Sequence, residues 1–177
     1  MKRLEDQLSM YSTYHRDIRN IWTHFVGIPM IVLAVVTLLA RPHLEIDEWI
    51  VTPARVLLLW VGVYYIFLNV KLGIAMTLLL GLAVLAGEQL AVLPTSEWLA
   101  CGVGIFVAGW MIQFIGHYWE GKKPAFFDDI RGLLIGPLFV VVEALFLMGF
   151  LPSLQSAITQ RAGEVVNKSL KTEADTE

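Results

Sequence analysis

The sequence predicts an all-α membrane protein, a polytopic bundle of about five transmembrane helices with interfacial amphipathic segments at both ends. The 177-residue chain is 56% hydrophobic and only 16% charged, and its mean hydropathy is +0.64. These values are too apolar for a soluble domain of this length. The apolar residues also lie in long runs that shorter polar segments separate. We therefore expect helices that cross a bilayer and satisfy their own backbone polar groups.

An amphipathic helix is expected at the start of the chain. In residues 3–15 apolar and aromatic side chains recur at helical spacing, while charged side chains occupy the remaining surface. This pattern is typical of a helix that lies flat at the membrane interface. The segment lacks the apolar core and cleavage site of a signal peptide, so we expect no cleaved leader.

The apolar runs indicate where the membrane helices lie. The first is expected at about residues 21–40, with Asn20 as its N-cap and Pro29 inside it, which predicts a kink just beyond His24. Residues 54–93 are too long for one span of about 20 residues, so we expect a tight turn at 69–71. The later spans are expected at residues 54–68, 72–93, 98–116 and 133–151. A four-span alternative treats residues 54–93 as a hairpin dip or one tilted helix.

The predicted organisation is one membrane-embedded domain, residues 1–152, followed by an amphipathic segment and a disordered acidic tail, residues 153–177. With five spans, the amino terminus, the turn at Lys71 and the loop 118–132 share one side of the membrane. Eight of the 13 lysine and arginine residues lie on that side, and the positive-inside rule then assigns it to the cytoplasm. We expect an integral protein of a bacterial inner membrane or of the endoplasmic reticulum.

The composition also excludes several kinds of site. Cys101 is the one cysteine, so neither an intrachain disulfide nor a thiolate metal site can form. The formal charge is −3, and no basic patch with interleaved aromatic residues indicates a nucleic-acid partner. His43 and Glu88 stand at the edges of apolar runs, where an interfacial role is the ordinary explanation.

Two polar stripes at the edges of the apolar region carry the candidate chemistry. Gln113, His117 and Glu120 stand at i, i+4 and i+7, so they project from one side of a helix. Ionisable side chains at membrane depth are costly and are therefore functional candidates. The second stripe consists of Tyr14, His15, Asn20 and His24. We predict that the two edges meet and hold a metal ion.

The spacing of two histidines limits how this metal site can form. His15 and His24 are nine positions apart, which on a straight helix separates them by roughly 13 Å along the axis and about half a turn. Either the helix breaks between Arg16 and Asn20 and folds the first segment back, or only one of the two histidines is a ligand. Asp17 and Asn20 favour caps and local backbone bonds, which makes a break credible.

A single metal ion would join His15, His24 and His117, with Glu120 as a fourth ligand or as an outer partner. Imidazoles with one carboxylate are a donor set typical of non-haem iron or catalytic zinc. The residues expected to fix the imidazole tautomers from outside are Tyr14, Asn20 and Gln113.

Two charged residues could assist this site. Lys122, with Lys123, would form a cationic lip that matches a fatty acid carboxylate, although paired lysines after a membrane helix are also a common topology signal. Glu143 stands alone in an apolar run, where an unpaired carboxylate is costly. We expect Glu143 to reach His117 or Asn20 through a helix break at residues 136–137.

The chain resembles the Mpo-like family of small membrane proteins. The resemblance is carried by two segments, YHRDIRNIWTHFVGIP and QFIGHYWEGKKPAFFDDIRGLLIGPLFVVVE, and the similarity covers essentially the whole chain. The family's described member is an iron(II)-dependent 2-hydroxy fatty acid dioxygenase of fatty acid α-oxidation. By position, the resemblance implies that His15, His24 and His117 bind Fe(II). It also implies that a 2-hydroxy fatty acid, held in membrane lipid, reacts with dioxygen to give the fatty acid one carbon shorter and carbon dioxide. A 2-hydroxy carboxylate can chelate iron through its hydroxyl and carboxylate oxygens, which fits this reaction.

Other functions stay open on sequence alone. His24 and His117 could be the axial ligands of a haem between two helices, which predicts a Soret band. The protein could instead be a non-enzymatic lipid-binding or scaffold protein whose polar residues only tie helix ends together, which predicts no stoichiometric metal. A transporter fits less well, because its polar groups should recur at mid-membrane depth on several helices.

Overall fold

The computed structural model describes residues 2–169 of the chain and the side chains of residues 4–169. This part of the chain forms α-helices, one short 3-10 helix and a two-stranded antiparallel sheet. The α-helices are α1 Lys2–Ser12, α2 Ile18–Ala40, α3 Pro53–Leu68, α4 Val70–Ala91, α5 Thr95–Glu120, α6 Gly132–Leu147 and α7 Pro152–Ala162. The strands are β1 Leu44–Ile46 and β2 Trp49–Val51, and the 3-10 helix is Ala125–Phe127. The prediction of an all-α membrane bundle is confirmed, with one small hairpin added to it.

Three helices, α2, α4 and α5, are long and apolar enough to cross a membrane. α6 and α7 pass the same test together, but they are bent by 116° at the break between them. α3 is apolar but only 16 residues long. Each predicted apolar run therefore contains a helix, whereas five crossings are not confirmed. Length and composition support three spans in the described chain, or four if the bent pair is one span.

The polar segment between α2 and α3, which lies between two predicted spans, forms a β-hairpin. Leu44 pairs with Val51 and Ile46 with Trp49. Asp47 at the turn has a φ of 53°, a conformation that Asp adopts more readily than most residues because its short side chain can bond locally. A run of alternating residues this short gives too weak a signal to separate a strand pair from a loop.

The chain divides into two compact units. The first contains Met1–Ile28 with Met111–Glu177, and the second is Pro29–Trp110. In the second unit α3 and α4 pack against each other. Asn69 separates them: its N–H donates to the Tyr65 carbonyl at 3.0 Å, and its Oδ1 accepts from the Leu72 N–H at 3.0 Å. The predicted turn at 69–71 is therefore a break at a single residue that caps both helices.

In the first unit α1 packs against α6 and α7. Leu4 and Leu8 of α1 are buried, as are Leu154 and Ile158 of α7. Both predicted amphipathic end segments are thus helices, and their apolar faces meet other parts of the protein. The acidic stretch TEADTE, for which disorder is predicted, lies outside the described residues.

Candidate metal centre

Three histidines meet inside the first unit. His15 lies in the loop between α1 and α2, His24 on α2, and His117 near the end of α5. Their exposed fractions are 0%, 2% and 6%. One ring nitrogen of each lies within 4.8 Å of the other two, and in the described part of the chain no second such group of His, Cys, Asp or Glu is found. The convergence that the sequence predicts is therefore present as a buried three-histidine group that could bind a metal.

A break in the backbone brings His15 and His24 together. The break spans residues 13–17, slightly earlier than the predicted 16–20. Asp17 caps α2, because its Oδ1 accepts a hydrogen bond from the Arg19 N–H at 2.9 Å. The predicted cap, Asn20, instead lies inside the first turn of α2. The chain folds back at this loop, and the Nε2 atoms of His15 and His24 come to lie 2.9 Å apart.

A glycine lets α5 bring His117 to the other two rings. Gly116 lies against Asn20 and Thr23, and a Cβ at this position would overlap Asn20 Oδ1 and Thr23 Oγ1. The missing side chain therefore permits a close approach of α2 and α5. This approach positions His117 opposite His24, whose ring centroid is 5.1 Å away.

The hydrogen bonds of two rings fix where their protons are. His15 Nδ1 lies 2.8 Å from the Tyr11 carbonyl oxygen, and His24 Nδ1 lies 2.8 Å from the Asn20 carbonyl oxygen. A carbonyl oxygen only accepts, so each Nδ1 carries the proton and donates it. Both Nε2 atoms then turn lone pairs toward each other at 2.9 Å. Burial, followed by the neighbouring imidazoles, keeps the pKa of His15 well below its usual value, so a shared extra proton is disfavoured.

This arrangement fits a metal ion. A cation bound by both Nε2 atoms would turn the repulsion of their lone pairs into attraction, and these two atoms are close enough to bind one ion. His117 Nδ1 is buried without a hydrogen-bond partner in the described chain, so this nitrogen also has a lone pair or proton to satisfy. Neutral imidazoles held by backbone carbonyls are the usual form of histidine metal ligands.

Other unsatisfied polar atoms surround the histidines. Gln113 Nε2 and Asn20 Oδ1 are buried and have no hydrogen-bond partner among the described residues. Gln113 stands one helical turn before His117. Buried amide atoms without a hydrogen-bond partner are rare in folded proteins, and a ligand or water would satisfy them. Each of the two predicted amides therefore has one atom that can bond a ligand at this site.

Two aromatic residues that sequence reasoning did not assign to the site pack on His15. The Tyr11 ring stacks on the imidazole with centroids 4.2 Å apart and planes 10° apart, and the Phe139 ring lies 5.2 Å away. Gly136 gives space to the Tyr11 hydroxyl, which would lie 3.0 Å from a Cβ there. The i, i+4 spacing of Tyr11 and His15 is a signal for this contact, although the same spacing fits an apolar helix face equally well.

Glu120 lies outside the three-nitrogen group, and its carboxylate is already occupied. Its Oε2 accepts hydrogen bonds from the backbone N–H groups of Arg16 at 2.9 Å and Asp17 at 2.7 Å, and from Asn20 Nδ2 at 3.2 Å. Its Oε1 lies 2.6 Å from Lys168 Nζ. Of the two predicted roles, ligand or outer partner, the geometry favours the second. Glu120 ties the loop that carries His15 to the helix that carries His117.

The structure corrects the expected role of Tyr14 and adds a backbone contact for Lys122. The Tyr14 hydroxyl donates to Asp128 Oδ2 at 2.8 Å, away from the imidazoles, while its carbonyl accepts from Asn20 Nδ2 at 3.2 Å. Backbone carbonyls, not the Tyr14 side chain, therefore fix the tautomers. Lys122 Nζ donates to the Thr13 carbonyl at 2.6 Å, so it braces the His15 loop as well as offering charge at the surface.

Glu143 also has a partner other than the predicted one. Its carboxylate lies 3.7 Å from Arg16 Nη2, and its described contacts do not include His117 or Asn20. α6 continues through Pro137, so the helix is not broken at residues 136–137. Arg16 extends from the His15 loop toward α6, and the charge of Glu143 is balanced there.

The positions of the rings disfavour a haem between His24 and His117. Their centroids are 5.1 Å apart, and the ring of His15 lies 4.3 Å from one and 5.0 Å from the other. A macrocycle needs the whole plane between two axial ligands, and the third imidazole fills part of that space.

Comparisons with known proteins bear on this site. A family model described as 2-hydroxy-palmitic acid dioxygenase Mpo1-like matches residues 1–148, a range that contains all three histidines. The chain is also 31% identical over 160 residues to 2-hydroxy-palmitic acid dioxygenase MPO1 of Saccharomyces cerevisiae, across 88% of this chain and 87% of the yeast protein. No solved structure matches the chain significantly.

Proposed function

The chain belongs to the 2-hydroxy-palmitic acid dioxygenase Mpo1-like family, and on that premise we propose that it is an iron(II)-dependent 2-hydroxy fatty acid dioxygenase. The observation that carries the proposal is the pair of facing Nε2 lone pairs of His15 and His24, with His117 beside them. The yeast relative is named for a 2-hydroxy fatty acid, which identifies the substrate class. A protein with several apolar helices is suited to a substrate that dissolves in lipid.

The reaction is an oxidative removal of one carbon. The bond between C1 and C2 of the 2-hydroxy acid breaks, C1 leaves as carbon dioxide, and C2 rises from the alcohol to the carboxylic acid level. Dioxygen accepts the four electrons, and the overall balance is one 2-hydroxy acid and one dioxygen to one shortened acid, one carbon dioxide and one water. No organic cosubstrate is needed for this balance.

His15, His24 and His117 are the residues that would hold the iron. When bound, iron(II) would supply the electron chemistry by which dioxygen reacts with an organic substrate, and the hydroxyl and carboxylate oxygens of a 2-hydroxy acid could chelate it. Three imidazoles leave coordination positions free for such ligands. Iron rather than zinc is proposed because the relative is named a dioxygenase, and zinc has no redox chemistry.

The remaining residues of the site orient the imidazoles and bind the polar end of the substrate. The carbonyls of Tyr11 and Asn20 hold the His15 and His24 protons on Nδ1, so that Nε2 is free to bind. The ring of Tyr11 fixes the plane of His15. Gln113 Nε2 is a free donor beside His117, and we assign it to an oxygen of the substrate head. Burial of this region excludes bulk water from the reacting groups.

The charge distribution supports a cytoplasmic site if the chain has the five spans expected from its sequence. In that topology the His15 loop and the end of α5 share the side with more lysine and arginine, so we propose that the site faces the cytoplasm. A 2-hydroxy fatty acid would then bind with its head at the depth of the helix ends and its chain in the inner leaflet.

A turnover assay with matched histidine variants tests this function. Detergent-purified protein prepared without oxygen is mixed with iron(II), dioxygen and 2-hydroxypalmitate labelled at C1, and the released carbon dioxide is measured. His117→Ala should lower turnover by more than about 100-fold, because loss of outer partners alone costs about 10–100-fold at metal sites. His43→Ala, at an exposed residue of the second unit, should retain wild-type turnover.

Two results would contradict the proposal. One is unchanged carbon dioxide release by His117→Ala, and the other is wild-type release that persists after a chelator has removed the bound iron. A Soret band in the purified protein would instead revive the haem alternative.

A further inference from the structure

A short segment after α7, residues 163–168, crosses the loop that carries His15; we call it the strap. The Gly163 carbonyl accepts from Arg16 Nη1 at 2.9 Å. The Val166 N–H donates to the Arg16 carbonyl at 2.9 Å, and the Val166 carbonyl accepts from the Ile18 N–H at 2.9 Å. Val166 thus forms a parallel β-bridge with Asp17. The strap therefore bonds a backbone carbonyl and a backbone N–H, those of Arg16 and Ile18, just after His15.

The strap ends in a lysine that reaches Glu120. Lys168 Nζ lies 2.6 Å from Glu120 Oε1 and 2.6 Å from the Glu120 carbonyl oxygen. The other carboxylate oxygen of Glu120 accepts the N–H groups of Arg16 and Asp17. Lys168 therefore connects, through one carboxylate, to the residue that directly follows His15.

The charge of Glu120 explains why a lysine is needed there. Its side chain is fully buried, and a buried carboxylate is costly without a countercharge. Glu120 also stands at the carboxyl end of α5, where the helix dipole disfavours a negative charge. The last carbonyl groups of a helix have no partner within the helix. Lys168 supplies the positive charge and bonds one of these carbonyls at the same time.

We propose that Lys168 is a positioning residue for the metal centre, which it serves by holding Glu120 against the His15 loop. The inference rests on the proposed function, since it concerns the same three histidines. It goes beyond the family comparison, because the family model ends at residue 148 and Lys168 lies after that range. The strap bonds the backbone of Arg16 and Ile18, directly after His15, and Lys168 holds Glu120 on the N–H groups of Arg16 and Asp17; together these bonds limit how far His15 Nε2 can turn.

Metal affinity of the full chain in detergent tests this role, with cobalt(II) as a redox-stable probe under anaerobic conditions. Lys168→Met should raise the dissociation constant about 10–100-fold, the range for loss of an outer partner. Lys168→Arg, which keeps the charge and the donors, should lie close to wild type. Arg161→Met is the matched control: it removes another cation of the carboxyl-terminal region, paired with Asp6, and should bind cobalt as the wild type does.

Spectra and a second background separate positioning from a general loss of stability. The visible absorption of cobalt-saturated Lys168→Met should differ from that of wild type, whereas Arg161→Met should match it. In a Glu120→Gln background Lys168→Met should add little further loss, because the effect passes through Glu120. If Lys168→Met cannot be recovered folded, Lys168→Gln, which keeps a donor but no charge, should weaken binding in the same direction.

The outcomes also separate this inference from the proposed function. A wild-type protein that binds no metal would overturn both. A wild type that binds one cobalt while Lys168→Met binds it equally well, with the same spectrum, would overturn the positioning role alone.

Discussion

At the scale of single residues, the site depends on which nitrogen of each imidazole carries its proton. Two backbone carbonyls, of Tyr11 and Asn20, accept from Nδ1 of His15 and His24. Each is the carbonyl four residues before its histidine, within α2 for His24 and at the turn that ends α1 for His15, so the local backbone sets each tautomer. With these tautomers the Nε2 lone pairs of two buried imidazoles face each other, which is unfavourable, and a bound cation would remove this repulsion. These atoms are the main structural support for a metal at this site, and iron(II) is the metal that we propose for it.

The ring of Tyr11 gives a prediction at this scale. Tyr11→Ala removes the ring that stacks on His15 and leaves a cavity in a buried region, so we expect a loss of about 3–5 kcal/mol in the free energy of unfolding. Tyr11→Phe keeps the ring and should cost less than about 1.5 kcal/mol. Unfolding in mixed detergent with increasing dodecyl sulfate measures both values. Equal stability of the two variants would mean that the stacked ring does not support His15.

At the scale of elements, the contact of α2 with α5 decides whether His117 reaches the other two rings. Gly116 is the point of closest approach to Asn20 and Thr23. A single methyl group there collides with two side chains that are held on α2, and neither can move far because each is itself hydrogen-bonded.

Two glycines of α5 form a matched test of this contact. Gly116→Ala should lower the melting temperature by several degrees and reduce bound iron by at least about tenfold, since the added methyl pushes His117 away. On the same helix, a Cβ added at Gly104 would meet no atom within 4 Å, so Gly104→Ala should keep iron and gain up to about 1 kcal/mol of helix stability. Metal analysis and thermal melting of both proteins check the pair. Retention of iron by Gly116→Ala would contradict the close-approach account.

The sequence predicted the helices, and it offered a break before α2 as one of two ways to arrange His15 and His24. These features depend on local signals, which are long apolar runs and the cap-forming residues Asp17 and Asn20. The meeting with His117 was expected instead from two polar stripes at one predicted membrane edge and from the family resemblance. The bond of Lys168 to Glu120 joins residues 48 positions apart, and no local pattern encodes such a pairing. Tyr14 and Glu143 were misassigned for the same reason, because their partners Asp128 and Arg16 come from other segments.

At the scale of the whole molecule, both ends of the chain build the first unit and with it the candidate metal centre. The loop after α1, the end of α5 and the strap meet there, although the intervening second unit, Pro29–Trp110, is compact by itself. A metal bound by both ends would stabilise the folded state over the unfolded one in proportion to its concentration and affinity. The metal centre is therefore expected to support the fold of this unit as well as its chemistry.

The most direct test of the central claim is the iron content and X-ray absorption spectrum of protein purified without oxygen and loaded with iron(II). We expect one iron per chain with three imidazole nitrogens in its first shell, and loss of that iron when His15, His24 and His117 are all replaced by Ala. Iron that stays bound in the triple variant, or a wild type that takes up none, would contradict the claim that these three histidines form a metal centre.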